Sequence, residues 1–123
     1  MDVKNYFFDT YAFYEVIKGN ESYKQFSRIG IVTTRLQLME LYYCLLTSHG
    51  KKVAEKYFDL LKKYTIDFSD DALKEAMVFR SLNKKKKLSY VDCIGYIIAN
   101  RMQIPFLTGD KEFEEMSNVL FVK

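Results

Sequence analysis

The chain contains 123 residues, of which 49% are hydrophobic and 28% are charged, with one proline and five glycines. This composition is typical of a globular protein, and the length predicts a single domain over residues 1–123 with one sizeable core. A net charge of +3 is too small to indicate a polyanionic partner by itself. No apolar run is long enough to cross a membrane, and the start lacks the basic flank of a secretion signal. We therefore expect a cytoplasmic protein without membrane contact.

Strands and helices alternate in the first half of the chain. Val3 to Phe8 is short, apolar and rich in aromatic residues, which predicts a buried strand. Apolar residues at helical spacing follow until Gly19, and residues 20–29 predict a second short helix. Ile31 to Thr33 then predicts a short strand, and Thr34 to Ser48 a strongly apolar helix. The pattern indicates a β-α-β order from the start.

The second half continues the same alternation. Its predicted elements are an amphipathic helix at 51–63, a strand at 64–68, a helix from Ser69 to about Asn83, a helix opened by Ser89, a strand at 104–107, a short helix at 110–116 and a strand at 119–122. Such alternation favours a parallel sheet covered by helices on both faces. The predicted fold is a three-layer α/β sandwich with a mostly parallel, four- to five-stranded sheet.

The cysteine and histidine content argues against soft-metal chemistry. Cys44 and Cys93 lie far apart, each within an apolar stretch, and we interpret both as reduced core thiols. The single histidine, His49, stands at a predicted helix end, where we expect it at the surface. The candidate functional residues are therefore the acids.

Two acidic residues follow predicted strands. Asp9 comes directly after the first strand, and Asp110 stands three residues after Leu107. The carboxyl ends of parallel strands meet at one edge of a sheet, where ligands of such sheets bind. Each aspartate is equally well explained as the N-cap of the helix that follows it. The sequence leaves both interpretations open.

Two further acids lie within apolar helices. Asp92 follows Ser89 by three residues, which is the spacing of a capping box, but the rest of its helix is strongly apolar. Glu40 has no basic residue three or four positions away. A buried carboxylate is costly unless it is paired or binds a metal. A salt bridge to a distant lysine is the alternative explanation for Glu40.

Taken together, these four acids predict a cation site. Two unit charges about 4 Å apart cost roughly 4 kcal/mol at an effective dielectric constant near 20. Clustered carboxylates therefore either take up protons or hold a cation. Oxygen ligands without histidine or thiolate suit Mg²⁺ or Mn²⁺ rather than Zn²⁺. We expect a hard divalent metal ion at this edge of the sheet.

The order of the motifs resembles that of the PIN domain. The motifs that carry the resemblance are Asp9-Thr10 after a strand, Glu40 in a helix, Ser89-Tyr90-Val91-Asp92 at a helix start and Thr108-Gly109-Asp110-Lys111-Glu112-Phe113 after a strand. Together they span essentially the whole chain and are most similar to the compact VapC-type toxins and their archaeal relatives. The chain departs from the family pattern at Tyr11, where a small polar residue is common. This puts in doubt a hydrogen bond from that position, but not the metal site.

The resemblance implies a ribonuclease that depends on Mg²⁺ or Mn²⁺, with RNA as its substrate. It makes Asp9 and Asp92 the main metal ligands, while Glu40 and Asp110 complete the shell directly or through water and orient the nucleophile. The hydroxyl groups next to the first and last acids belong to Thr10 and Thr108. In-line attack on the phosphate is then expected to leave a 5′-phosphate. A homodimer is also implied, and an antitoxin protein is expected if the chain is a toxin.

Four consecutive lysines, Lys84, Lys85, Lys86 and Lys87, precede the helix that carries Asp92. Such a run is usually a solvated turn. The alternative is a contact for substrate phosphates, which positions a nucleic acid without reading its sequence. We retain both interpretations.

Two functions compete with an active ribonuclease. One is a catalytically silent domain of the same fold that binds RNA or protein, which would bind no Mn²⁺. The other is a phosphoryl-transfer receiver or phosphatase, which is disfavoured because Phe8-Asp9-Thr10-Tyr11 lacks a second nearby aspartate.

Overall fold

A computed structural model describes residues 4–26 and 30–123 of the chain. Within these two ranges, four strands form one parallel sheet in the order β2-β1-β3-β4. The strands are β1 (Tyr6–Phe8), β2 (Ile31–Val32), β3 (Phe106–Thr108) and β4 (Val119–Phe121). The predicted α/β class and the parallel sheet are confirmed, with four strands.

Five α-helices of the described residues cover the sheet, each beginning after a strand, a turn or another helix. They are α1 (Thr10–Lys18), α2 (Arg35–His49), α3 (Lys51–Leu61), α4 (Asp70–Leu82) and α5 (Tyr90–Met102). Short 3₁₀ helices lie at Glu21–Phe26, Lys62–Tyr64 and Lys111–Phe113. Within the described ranges, no helix is both long and apolar enough to cross a membrane.

The pleat of β1 divides the core into two layers. Phe7 points to one face of the sheet, where it packs with Phe106 and with the apolar side of α5. Phe8 points to the other face, where it packs with Leu107 and with residues of α1 and α2. Because side chains alternate along a strand, the aromatic pair in β1 supplies one anchor to each layer. Helices on both faces then give the expected three-layer sandwich.

The predicted strand at 64–68 is wrong. Lys62–Tyr64 forms a 3₁₀ helix instead, and a single bridge joins Thr33 to Thr65. The edge strand β2 contains only two residues, because the chain turns into α2 at Thr34. The following segment therefore finds too little backbone to pair with, and Ile66 and Phe68 contribute side chains to the core instead.

Other boundaries also differ from the prediction. The predicted helix at 110–116 is only a 3₁₀ turn at Lys111–Phe113. The second short helix is a 3₁₀ helix at Glu21–Phe26, and its predicted end at 27–29 lies outside the described residues, as does Val3. Cys44 is exposed, so its assignment to the core is wrong, whereas Cys93 is buried.

Candidate active site

The fold brings the four predicted acids to one edge of the sheet. Asp9 follows β1, and its backbone N–H donates to the carbonyl of Leu107 in the neighbouring strand β3 at 3.2 Å. Asp110 follows β3, while α2 and α5 begin at this same edge because each runs antiparallel to the strands. Asp92 thus lies in the first turn of α5 and Glu40 in the second turn of α2, near the strand ends.

Asp9 is the most buried of the four carboxyl groups, with 2% of its surface exposed. Its Oδ1 accepts a hydrogen bond from the backbone N–H of Thr10 at 2.9 Å, which caps α1. Its Oδ2 accepts from the hydroxyl of Thr108 at 2.8 Å. Burial raises the pKa of Asp9 well above its ordinary value of 3.8, and the negative charge of Asp92 raises it further.

Hydrogen bonds of the Thr108 hydroxyl link Asp9 to Asp110. While this hydroxyl donates to Asp9, the same oxygen accepts from the backbone N–H of Asp110 at 3.1 Å. Asp110 in turn caps the 3₁₀ helix, since its Oδ1 accepts from the N–H of Glu112 at 3.0 Å. Gly109 is required between them, because a Cβ there would lie 2.4 Å from the Tyr11 ring.

Glu40 is half-buried and is held by two hydroxyl groups. Thr10 donates to its Oε1 at 2.9 Å, and Ser89 donates to its Oε2 at 3.4 Å. Within the described part of the chain, none of the four acids forms a salt bridge, so the alternative explanation for Glu40 finds no support there. Glu40 instead contacts the residues that flank Asp9 and open α5.

Asp92 forms a complete capping box with Ser89. Its Oδ2 accepts from the backbone N–H of Ser89 at 2.9 Å, and its own N–H donates to the Ser89 hydroxyl at 3.0 Å. The pKa of Asp92 is nevertheless raised from 3.8 to about 6, chiefly by burial, with contributions from the negative charges of Glu40 and Asp110. The capping role and the electrostatic coupling therefore coexist in one residue.

Two supporting residues were not predicted as part of the site. Ser89 joins Glu40 to the start of α5, as described above. Gln37 is fully buried, and its side chain donates to the carbonyl of Val91 at 3.0 Å and accepts from the hydroxyl of Thr34. It thereby ties α2 to the residue before Asp92. The sequence offers one sign of this role: Gln37 is a polar amide in an otherwise apolar helix, one turn before Glu40.

The acids are coupled, but they do not form a compact ligand set. Across residues 4–26 and 30–123, no three His, Cys, Asp or Glu side chains lie close enough together to hold a metal ion as they stand. The chemistry of the set still fits a hard cation, because it consists of carboxylates whose negative charges disfavour one another. Reorientation of side chains, or bridging water, is needed to complete such a site.

The four-lysine turn lies beside the loop that carries Asp110. The backbone N–H of Lys87 donates to a carboxylate oxygen of Glu112 at 3.0 Å, and the Lys86 ammonium group donates to the Glu112 carbonyl at 3.2 Å. All four lysines are exposed. Because Glu112 also donates its N–H to Asp110, the turn is held next to the acids by a single residue.

Comparison with family models gives a match to the PIN domain over residues 6–119, which includes all four acids. The chain belongs to the PIN domain family. A comparison with curated proteins finds no match.

Several solved structures share the fold of this chain. A toxin-antitoxin complex from Klebsiella pneumoniae is 18% identical, with a TM-score of 0.71 over 94% of this chain and 96% of that one. VapC20 of Mycobacterium tuberculosis, described as a toxin that cleaves the sarcin-ricin loop, is 16% identical, with a TM-score of 0.78 over 92% and 95%. A DNA-bound VapBC complex from Salmonella typhimurium is 15% identical, with a TM-score of 0.69 over 96% of both chains. At these identities the structures support the fold alone.

Proposed function

We propose that this PIN domain is an endoribonuclease that uses Mg²⁺ or Mn²⁺, and that residues 1–123 act as one domain. The observation that carries the proposal is the electrostatic coupling of four carboxylates at one sheet edge, with no salt bridge to any of them among the described residues. Such an arrangement disfavours folding of the unliganded protein, and a bound cation relieves it.

Each acid has a role in this proposal. Asp9 and Asp92 hold the cation, while Glu40 and Asp110 complete its surroundings directly or through water and orient the attacking water molecule. A divalent cation at this position lowers the pKa of water and stabilises the charge that develops on the phosphate. Thr108 orients Asp9 through the hydrogen bond described above. The expected product carries a 5′-phosphate.

The lysine turn supplies phosphate contacts in the same proposal. Its four ammonium groups lie on the connection before α5, and Glu112 holds that connection beside Asp110. An RNA strand bound across the acids would therefore meet positive charge on one side. This charge offsets the repulsion between the phosphates and the carboxylates.

An antitoxin-like protein partner is supported by a second feature. On α2, three large apolar residues are exposed: Met39 at 53% and Tyr43 at 67%, which lie beside Glu40, and Leu46 at 39%, which lies about one turn beyond Tyr43. An apolar surface beside a catalytic centre is typical of a protein interaction site. Because the similar structures include toxin-antitoxin complexes, we propose that an antitoxin covers this surface. A homodimer is proposed from the family resemblance.

The test is cleavage of single-stranded RNA with Mg²⁺, with Mn²⁺ and with EDTA. We expect cleavage by the native protein with either ion, none with EDTA, and at least 100-fold less by Asp9→Asn. Asp59→Asn is the matched control, because Asp59 is an exposed aspartate on α3. Full activity of Asp9→Asn would contradict the proposal.

A catalytically silent RNA- or protein-binding domain is the second candidate. It is favoured by the observation that no three potential ligands within the described ranges are close together. Calorimetric titration with Mn²⁺ separates the two functions. Binding by the native protein that Asp92→Asn abolishes supports the enzyme, whereas no binding by either supports the silent domain.

A further inference from the structure

Tyr90 is the first residue of α5 and stands between the lysine turn and Asp92, with 61% of its surface exposed. We infer that Tyr90, supported by Arg80, is a stacking platform for a base of the single-stranded RNA bound at the acids. This inference rests on the proposed function. It adds a residue that binds a base to the four acids that are proposed to act on the phosphate.

The ring of Tyr90 is already packed against a cation. The Arg80 guanidinium carbon lies 4.3 Å from the centre of the ring. Arg80 is itself held in place, because its Nε donates to the carbonyl of Leu88 at 3.1 Å. The guanidinium therefore restrains an exposed ring that would otherwise sample several rotamers. A restrained ring loses less side-chain entropy when a base stacks on it.

Tyr90 directly follows a residue that contacts one of the acids. Ser89 donates to Glu40 at 3.4 Å, and the Cα atoms of Ser89 and Tyr90 are about 3.8 Å apart, as for any trans peptide. Asp92 is two residues further along. The lysines proposed to contact phosphates, the Tyr90 ring and Asp92 thus follow one another along a single connection. Positive charge beside an aromatic ring is the combination that proteins use to bind single strands.

Other exposed aromatic rings lack this combination. Tyr43 is 67% exposed, but no cation lies over its ring among the described residues. Tyr57 and Tyr64 have lysine ammonium groups over their rings at 5.2 and 5.3 Å, but they lie on α3 and the 3₁₀ helix after it. Of these four tyrosines, Tyr90 alone combines a cation over its ring with a neighbour that contacts one of the acids.

The experiment measures binding of a 3′-fluorescein-labelled single-stranded RNA by anisotropy. Asp92→Asn is the parent protein, because it is expected to leave the RNA uncleaved. In this parent, we expect Tyr90→Ala to weaken binding about tenfold, Tyr90→Leu to weaken it similarly, and Tyr90→Phe to preserve it. Leu82→Ala on α4, at a residue 78% exposed, is the control for loss of an exposed apolar side chain.

Stacking itself is measured with RNAs that carry 2-aminopurine at successive positions. We expect the parent to quench fluorescence at one or two positions and Tyr90→Ala to abolish this quenching, with unchanged circular dichroism. Equal binding by the parent and Tyr90→Ala, or preserved binding by Tyr90→Leu, overturns the stacking inference alone. Absence of RNA binding by the parent, together with absence of RNA cleavage by the native protein, overturns both the inference and the proposed function.

Discussion

Replacing Asp92 with Asn is expected to stabilise the metal-free protein while making it inactive. The pKa of Asp92 is about 6 in the folded state, mainly because burial disfavours its charge, and Glu40 and Asp110 add repulsion. Asparagine has nearly the same shape and its oxygen can still accept from the backbone N–H of Ser89, a bond of 2.9 Å in the native protein. The variant therefore keeps the helix cap and loses the charge.

The size of this stabilisation follows from the pKa of Asp92 in the unfolded and in the folded state. A rise from the ordinary 3.8 to about 6 corresponds to about 3 kcal/mol at 1.36 kcal/mol per pH unit. Between these pH values the folded state binds more protons than the unfolded state, so native stability falls as pH rises through this window. The advantage of Asp92→Asn should be near zero below pH 4. It should reach about 1–3 kcal/mol at pH 7, or roughly 4–12 °C in Tm.

Thermal unfolding followed by circular dichroism tests this expectation, first in EDTA from pH 4 to 8 and then with Mn²⁺ at pH 7.5. A ligand at 100 times its Kd adds about 2.7 kcal/mol to the native protein, so Mn²⁺ should remove or reverse the advantage of the variant. Asp59→Asn, whose native side chain is 68% exposed, should change neither result. Equal stability of Asp92→Asn and native protein in EDTA at pH 7.5 would refute the electrostatic reasoning.

Two further predictions concern the support of the site and the substrate. Gln37→Leu should lower the free energy of unfolding by about 1–3 kcal/mol, because it removes the hydrogen-bond partner of both the Thr34 hydroxyl and the Val91 carbonyl. Urea unfolding measures this change, and an unchanged midpoint would contradict it. Replacing lysines 84–87 with glutamine should weaken RNA binding and flatten its salt dependence by about 0.7 per lost phosphate contact, measured by anisotropy. The same change at Lys51 and Lys52, at the start of α3, should leave the slope unchanged.

Much of the architecture could be predicted from local patterns. The aromatic run that ends at Asp9 predicts a strand, and the glycines after α1 and α2 mark helix ends. The spacing of Ser89 and Asp92 predicts the capping box that the structure contains. These features depend on interactions between residues close in sequence, which is why the chain alone reveals them. The prediction of a strand at 64–68 failed because the pairing of this segment depends on how many residues of β2 are available to it.

The sequence by itself determined which chemistry is available at the sheet edge, namely oxygen ligands from four acids and no nearby basic partner in the same helix for Glu40. Only the tertiary structure decided which of these residues contact one another. It placed the hydroxyls of Thr10 and Ser89 on Glu40, exposed Cys44, and set Arg80 against Tyr90. These contacts join residues from separate elements, so they depend on how helices pack on the sheet, which periodicity along the chain does not encode.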